Sequence, residues 1–200
     1  MDLGMPTEDY GYGFGPSTVA THTFADAPAL DVIFVPGGMG NIALEQANNT
    51  EIESFLVRRY PQAEYVLSVC TGAVVLARAG LLSGKRATTN KGLWAWVTNP
   101  RHGANITWVP SARWIEDGNI WTSSGVAAGI DMTYAFLKHF YGTEILDSVM
   151  NAIEYAPYQD SHWDPFSLIH EVPGANTSAG SGCALPVGNG SGTTGSGGHH

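Results

Sequence analysis

The chain has 200 residues, 44% of them apolar, enough for the core of one domain. Eighteen Asp plus Glu against nine Lys plus Arg leave a formal charge of -9, which repels phosphate backbones and anionic lipid and points to a small-molecule ligand rather than nucleic acid or a membrane surface. No apolar run approaches the ~20 residues that span a bilayer, the N-terminal MDLGMPTEDY lacks the basic and apolar stretches of a leader, and Cys70 and Cys183 form no disulfide framework, so a cytoplasmic, reducing setting is expected.

Residues 1–16 are polar and without periodicity and read as an arm; Gly11, Gly13 and Gly15 have no strand before them and no helix after, which argues against a phosphate loop. Ser17 to Phe24 alternates loosely, as an edge strand or hairpin arm would. Residues 31–35 (DVIFV) form a continuous apolar run closed by Pro36-Gly37-Gly38, the pattern of a strand buried on both faces. Thr50 and Glu53 have capping-box spacing, and Ile52, Phe55 and Leu56 share one helical face until Tyr60-Pro61 stops it. Residues 65–69 (YVLSV) make a second buried strand, and Ala73, Leu76, Ala77 and Gly80 follow at helical spacing. This βαβα order predicts a parallel sheet with helices on both faces and a ligand site at the carboxyl ends of its strands.

Farther on, residues 86–89 and 106–109 look like short strands, and 113–115 with 120–122 flank the turn signal Asp117-Gly118-Asn119, a hairpin. Ala127, Ile130, Tyr134 and Leu137 make a buried helical stripe ending at Gly142, and Ile145, Val149 and Ile153 make another before Pro157. Trp94, Trp96, Trp108, Trp114 and Trp121 are assigned to core and sheet packing ahead of a pocket lining. The domain is set at 17–170 and a tail at 171–200, whose composition collapses to Gly, Ser, Thr and Asn from Gly174 onward.

The segment VLSVCTGAVVLARAG puts Cys70 where a strand ends and a helix begins, with Gly72 allowing a tight turn. A nucleophile on such an elbow is exposed at the sheet edge, faces the positive end of the helix dipole, and has the next residue's N–H aimed at developing negative charge. A cysteine there also serves simple core packing, and on the cysteine alone both readings stand.

VPGG at 35–38, SVCTGAVVLARAGLLSGKRATTN at 68–90 and WTSSGVAAGIDM at 121–132, in this order, resemble the ThiJ/PfpI branch of the class I glutamine amidotransferase-like superfamily, nearest its isonitrile hydratase-like group. The resemblance covers about residues 17–166 and implies a flavodoxin-like α/β three-layer sandwich with a mostly parallel sheet and a cysteine nucleophile elbow. It implies Cys70 as nucleophile, the backbone amides of Gly38 and Thr71 as holders of anionic intermediates or oxidised sulfur, and Gly37, Asn90, Ser124 and Gly125 as substrate-binding or supporting positions. The implied reaction is hydration of an isonitrile to an N-substituted formamide, with no cofactor and no metal.

Two departures from the family pattern matter. Relatives with a Cys-His arrangement carry histidine after the paired threonines, whereas this chain reads Ala87-Thr88-Thr89-Asn90, which disfavours amidase, peptidase and glyoxalase readings. His22, His102, His139, His162 and His170 offer no evident replacement and no metal-ligand spacing. Relatives also begin with a strand, a helix and a further strand that supplies an acidic partner to the cysteine, a unit of about 30 or more residues, and residues 1–16 are too few to hold it. Asp2, Glu8 and Asp9 there read as solvated loop charges. The expectation is a rearranged or oligomeric stable form, a homodimer or higher homo-oligomer. Deglycase-like water addition to reactive carbonyls, and a redox-sensing or non-catalytic role for Cys70, are the alternative functions. A regulator with a helix-turn-helix domain is disfavoured by the tail that follows.

Overall fold

The computed structural model describes residues 18–176. In chain order they form β1 (Val32–Val35), α1 (Gly40–Gln46), α2 (Glu51–Arg59), β2 (Tyr65–Val69), α3 (Gly72–Arg78), β3 (Arg86–Ala87), α4 (Trp94–Val97), β4 (Thr107–Trp108), β5 (Trp114–Asp117), β6 (Ile120–Ser123), α5 (Val126–Ala152) and α6 (Phe166–Ile169). The main sheet has the order β1-β2-β6-β5, and β3 pairs with β4 in a separate two-stranded sheet. β1, β2 and β6 are parallel, and β5 returns antiparallel through the Asp117-Gly118-Asn119 turn, where Gly118 takes φ +65°. The register sets Val35 beside Ser68 and Val69 beside Ser123, so the loops after β1, β2 and β6 converge at one edge. The mostly parallel sheet expected from the alternation is observed, and with it the flavodoxin-like α/β fold that the family resemblance implies.

Period-two alternation along β2 sorts its side chains between two cores. Val66 joins Ile33, Val35, Leu56, Leu76 and Ile120 under α2 and α3, and Leu67 joins Trp121, Met132 and Phe136 under α5. Each such side chain contributes ~1.5–3 kcal/mol by leaving water. Trp94, Trp114 and Trp121 are buried, and Trp96 and Trp108 pack partly buried against the first core, so the tryptophans are structural.

Several local expectations are corrected. β1 is buried on one face only: Ile33 and Val35 enter the core, while Val32 and Phe34 remain 41% and 46% exposed. The reason is that α5 packs through Met132 and Phe136 onto Leu67 and Trp121, over β2 and β6 rather than β1. Residues 18–24 make bends and a turn instead of a strand, with Asp26 accepting from the Thr23 amide and hydroxyl; Ser17 lies outside the described residues.

Thr50 is the N-cap residue of α2 but makes no side-chain cap bond. Glu53 is drawn instead into an ion pair with Arg78 at 3.0 Å, and Asn49 Oδ1 accepts from the Glu51 N–H. α1 has no counterpart in the sequence pattern because none of its residues is buried.

The stripe on α5 is rotated. Ala128, Gly129, Met132 and Phe136 face inward, Tyr134 is buried as expected, and Ile130, Ile145, Val149 and Ile153 are exposed. Helical dihedrals break at Gly142 (φ 72°, ψ 173°), where the first stripe was expected to end. Packing also continues past 170, since Val172 is 4% exposed. Gly11, Gly13, Gly15 and Cys183 lie outside the described residues.

Candidate active site

Cys70 leaves β2 with φ +59°, a left-handed conformation that costs a non-glycine residue ~1–2 kcal/mol. Three elements hold it there. The Cys70 N–H donates to the Ser123 carbonyl at the end of β6 (3.2 Å), and Thr89 Oγ1 donates to the Cys70 carbonyl (2.8 Å). From the third side the Pro36-Gly37-Gly38 loop presses in: a Cβ on Gly37 would stand 2.6 Å from Cys70 Cβ and 2.8 Å from the Thr71 nitrogen. A Cβ on Gly72 would collide with the Val35 carbonyl oxygen and lie 2.9 Å from that of Pro36. Strain of this kind persists only where the surroundings over-determine it.

Thr71 ties the glycine loop to the elbow. Its Oγ1 accepts from the Gly38 N–H (2.8 Å) and from Asn41 Nδ2 (3.1 Å) and donates to the Gly38 carbonyl (3.2 Å). The Gly38 amide expected to face an anion is therefore occupied by the Thr71 hydroxyl in this state.

Cys70, itself half-buried, opens into a cavity of about 500 Å3. One wall is Phe34, Pro36, Gly37 and Gly38; the other is Val126, Gly129, Ile130 and Thr133 of α5, with Val69 between. Among the described residues, no charged side chain and no histidine lines it. The α5 wall was missed in the sequence because its approach depends on Gly129, whose Cβ would stand 2.6 Å from Val69 Cγ1.

Asn90, Ser124 and Gly125, grouped with Cys70 in the sequence reading, border a different cavity of about 210 Å3. Asn90 Oδ1 accepts from the Leu93 N–H, supporting the turn into α4, and the Ser124 N–H donates to the Arg113 carbonyl. Among the described residues, only Val126 is common to both linings. The smaller cavity also contains a buried ion pair that no sequence signal marked, Lys91 with Asp164 (3.6 Å). Burial pushes the Lys91 ammonium down to about 8, against the opposing attraction of Asp164. Beside it Arg113 pairs with buried Asp131, which also accepts from Tyr155 OH (2.6 Å) and the Tyr158 N–H (2.9 Å).

The histidines have structural or surface surroundings. His102 is buried and meets Glu45 Oε1 at 3.0 Å, a carboxylate that also accepts from Arg101 and from the Trp96 indole (3.0 Å each). Burial opposes the charge on Glu45, but the His102 hydrogen bond, the neighbouring His102 and Arg101, and Trp96 outweigh it and hold the carboxyl below its usual range. These contacts fasten α1, which begins two residues after Gly38. His139 pairs at the surface with Glu116 and His162 with Asp160, His22 is exposed, and His170 borders the smaller cavity.

A mostly parallel sheet flanked by helices, with a strained cysteine on the strand-to-helix elbow, defines a flavodoxin-like α/β domain with a candidate reactive thiol. Residues 12–139 match the DJ-1/PfpI family, and the chain belongs to it. It is 41% identical over 158 residues to an isonitrile hydratase of Pseudomonas putida, covering 78% of this chain and 64% of that protein. It is 31% identical over 138 residues to a deglycase of Pyrococcus abyssi, covering 68% of this chain and 75% of that protein. Among solved structures, a ThiJ/PfpI family protein from Pseudomonas syringae superposes with a TM-score of 0.60 at 31% identity, covering 72% of this chain and 57% of that one. The chain therefore spans less than two thirds of the length of both the isonitrile hydratase and the Pseudomonas syringae protein.

Proposed function

We propose that the protein hydrates isonitriles to N-substituted formamides through Cys70. The observation that carries this reading is the chemistry around the thiol: a strained cysteine lining an apolar cavity of about 500 Å3 to which no charged side chain among the described residues contributes. An isonitrile is neutral, has an apolar body and presents one terminal electrophilic carbon, which that cavity suits. The similarity to an isonitrile hydratase supports the same choice.

In the proposed reaction the Cys70 thiolate adds to the terminal carbon and a proton, equivalent to the one lost by the thiol, ends on that carbon, giving a thioimidate. Water then adds across its C=N bond, oxygen to carbon and hydrogen to nitrogen. The oxygen's remaining proton leaves as the C–S bond breaks, restoring the thiol and releasing R–NH–CHO. The Thr71 N–H stands next to Cys70 at the start of α3 and serves as donor to charge developing there; the Gly38 N–H joins it once the Thr71 hydroxyl turns away. No cofactor enters this scheme.

The test is turnover of a small aliphatic isonitrile by the purified chain in 18O-labelled water. One labelled oxygen in the formamide, abolished in Cys70→Ala with the circular dichroism spectrum retained, is expected; equal rates in parent and variant overturn the proposal. Water addition to reactive carbonyls is the second reading, favoured by the likeness to a deglycase. It predicts methylglyoxal turnover under the same conditions, although no histidine or carboxylate among the described residues lines the cavity.

We further propose that the chain works in the cytoplasm as a homo-oligomer. The exposed Val32 and Phe34 on β1, with exposed Val126 and Ile130 of α5 bordering the same cavity as Phe34, give a second copy an apolar surface. None of the helices of the described residues is long and apolar enough to cross a membrane.

A further inference from the structure

β1 is an edge strand with the composition of an interior one: its residues, Val-Ile-Phe-Val, are apolar on both faces. Within the described sheet it pairs with β2 alone, at the end of the order β1-β2-β6-β5. The Asp31 carbonyl accepts from the Tyr65 N–H (3.0 Å), and in this parallel register the backbone groups of Ile33 and Val35 turn to β2 as well. Those of Val32 and Phe34 point away from the sheet, and among the described residues none bonds them. Native edges are commonly blunted by a lysine, a bulge or a covering element. Here the row is bounded only by Pro36, which has no N–H to offer.

The space beside this edge is apolar on both faces of the sheet. On one face the Cys70 cavity lies between Phe34 and the exposed Val126 and Ile130 of α5. On the other, a cavity of about 330 Å3 lies between β1 and the helices α1 and α2, with Phe24, Leu44 and Phe55 in its lining. Phe34 borders both. Among the described residues no charged side chain lines either cavity, so two copies of a chain with a net charge of -9 can bring these faces together without setting like charges in contact.

We propose that β1 pairs antiparallel with β1 of a second copy, about a two-fold axis at Ile33, and that the partner thereby supplies a wall of the Cys70 cavity. This rests on the homo-oligomer reading above and names its interface. Setting Ile33 opposite the partner's Ile33 places Val32 opposite the partner's Phe34 and Phe34 opposite the partner's Val32. Each of the latter two pairs exchanges both N–H···O bonds, so every outward backbone group of the two strands is satisfied and the two four-stranded sheets become one. The edge is thus self-complementary, as a two-fold contact requires. Side chains directly opposite share a face, so the partner's Phe34 and the partner's Val32 stand beside Phe34 on the α5 side, at the open flank of the Cys70 cavity. The partner's Ile33 lies on the side of the second cavity. A free peptide strand makes the same bonds, but a second copy also brings its own α5, covering Val126 and Ile130 of both chains at once.

The test combines sedimentation velocity with amide hydrogen exchange, read by NMR on the 15N-labelled chain at the same concentration. A mass twice the 21.2 kDa of one chain is expected, with the Val32 and Phe34 amides protected. Val32 lines neither cavity, so Val32→Lys should keep the circular dichroism spectrum while halving the mass and speeding exchange at Phe34 at least tenfold. Alkylation of Cys70 by a bulky maleimide, followed by peptide mass, should quicken at least threefold in that variant. Should the variant not fold, dilution of the parent chain until its mass halves should release the same two amides. A dimer whose Val32 and Phe34 amides exchange freely overturns the β1 interface and leaves the oligomer reading standing. A parent chain of 21.2 kDa overturns both, and protected amides in that monomer would assign the edge to another segment of the same chain. None of these outcomes depends on isonitrile turnover.

Discussion

Thr71 and Gly38 hold each other at two points: the glycine N–H donates to Thr71 Oγ1 at 2.8 Å and the threonine hydroxyl donates back to the glycine carbonyl at 3.2 Å. The hydroxyl is buried and takes a further bond from Asn41, so Thr71→Val strands three polar groups at once. A loss of ~1–3 kcal/mol in urea unfolding is expected, with turnover at least tenfold lower because the glycine wall of the Cys70 cavity is released. Thr71→Ser keeps the oxygen and should recover most of both.

Cys70 occupies left-handed backbone space that suits glycine better than any residue with a Cβ. Cys70→Gly and Cys70→Ala should both abolish turnover, yet the glycine variant should unfold ~1 kcal/mol later than the alanine variant. Equal stabilities would mean that the elbow is not strained.

The contact between Gly129 and Val69 predicts a coupled pair. A Cβ at 129 would meet both Val69 methyls within 2.8 Å, so Gly129→Ala should cost ~1–3 kcal/mol by forcing α5 off β2. Adding Val69→Ala makes room for the methyl. A double-mutant cycle by chemical denaturation should therefore show a favourable coupling, and strict additivity would contradict the packing described here.

Lys91 gives a pH signature with a definite sign. Its ammonium is held at about 8 in the folded chain against an ordinary 10.5, so between these values the unfolded chain binds more protons. Stability rises with pH across that window as the cost of the buried charge is relieved. Tyr155, raised to about 12 by burial and its bond to Asp131, has the opposite effect from about 10 upward, since its folded form keeps the proton longer. Urea midpoints should climb from pH 8 to pH 10, and the climb should be missing in Lys91→Met.

What the sequence makes legible follows from how each signal arises. β1 and β2 stand out because β-branched and aromatic runs closed by glycine have few other uses, and the hairpin because Asp117-Gly118-Asn119 matches a tight turn. The inward face of α5 is misplaced in the sequence reading because its contact with β2 uses Gly129, a residue without a hydrophobic signal, while bulkier Ile130 faces the Cys70 cavity. Cys70 and its glycine loop are readable because local geometry and residue type coincide. That Asn90, Ser124 and Gly125 border a separate cavity is not, since it depends on Lys91 meeting Asp164 across 73 positions of chain.

The way α1 is fastened has a thermodynamic consequence. None of its residues is fully buried, and its far end is held through Glu45 by His102, Arg101 and Trp96. Swinging this helix outward breaks those polar contacts and also opens the cavity of about 330 Å3 that Leu44 closes against Ile33, Val35, Phe55 and Leu56, so the motion exposes apolar surface and raises the heat capacity. Opening of the glycine wall is thereby coupled to the first core, and loosening α1 is expected to lower the melting temperature.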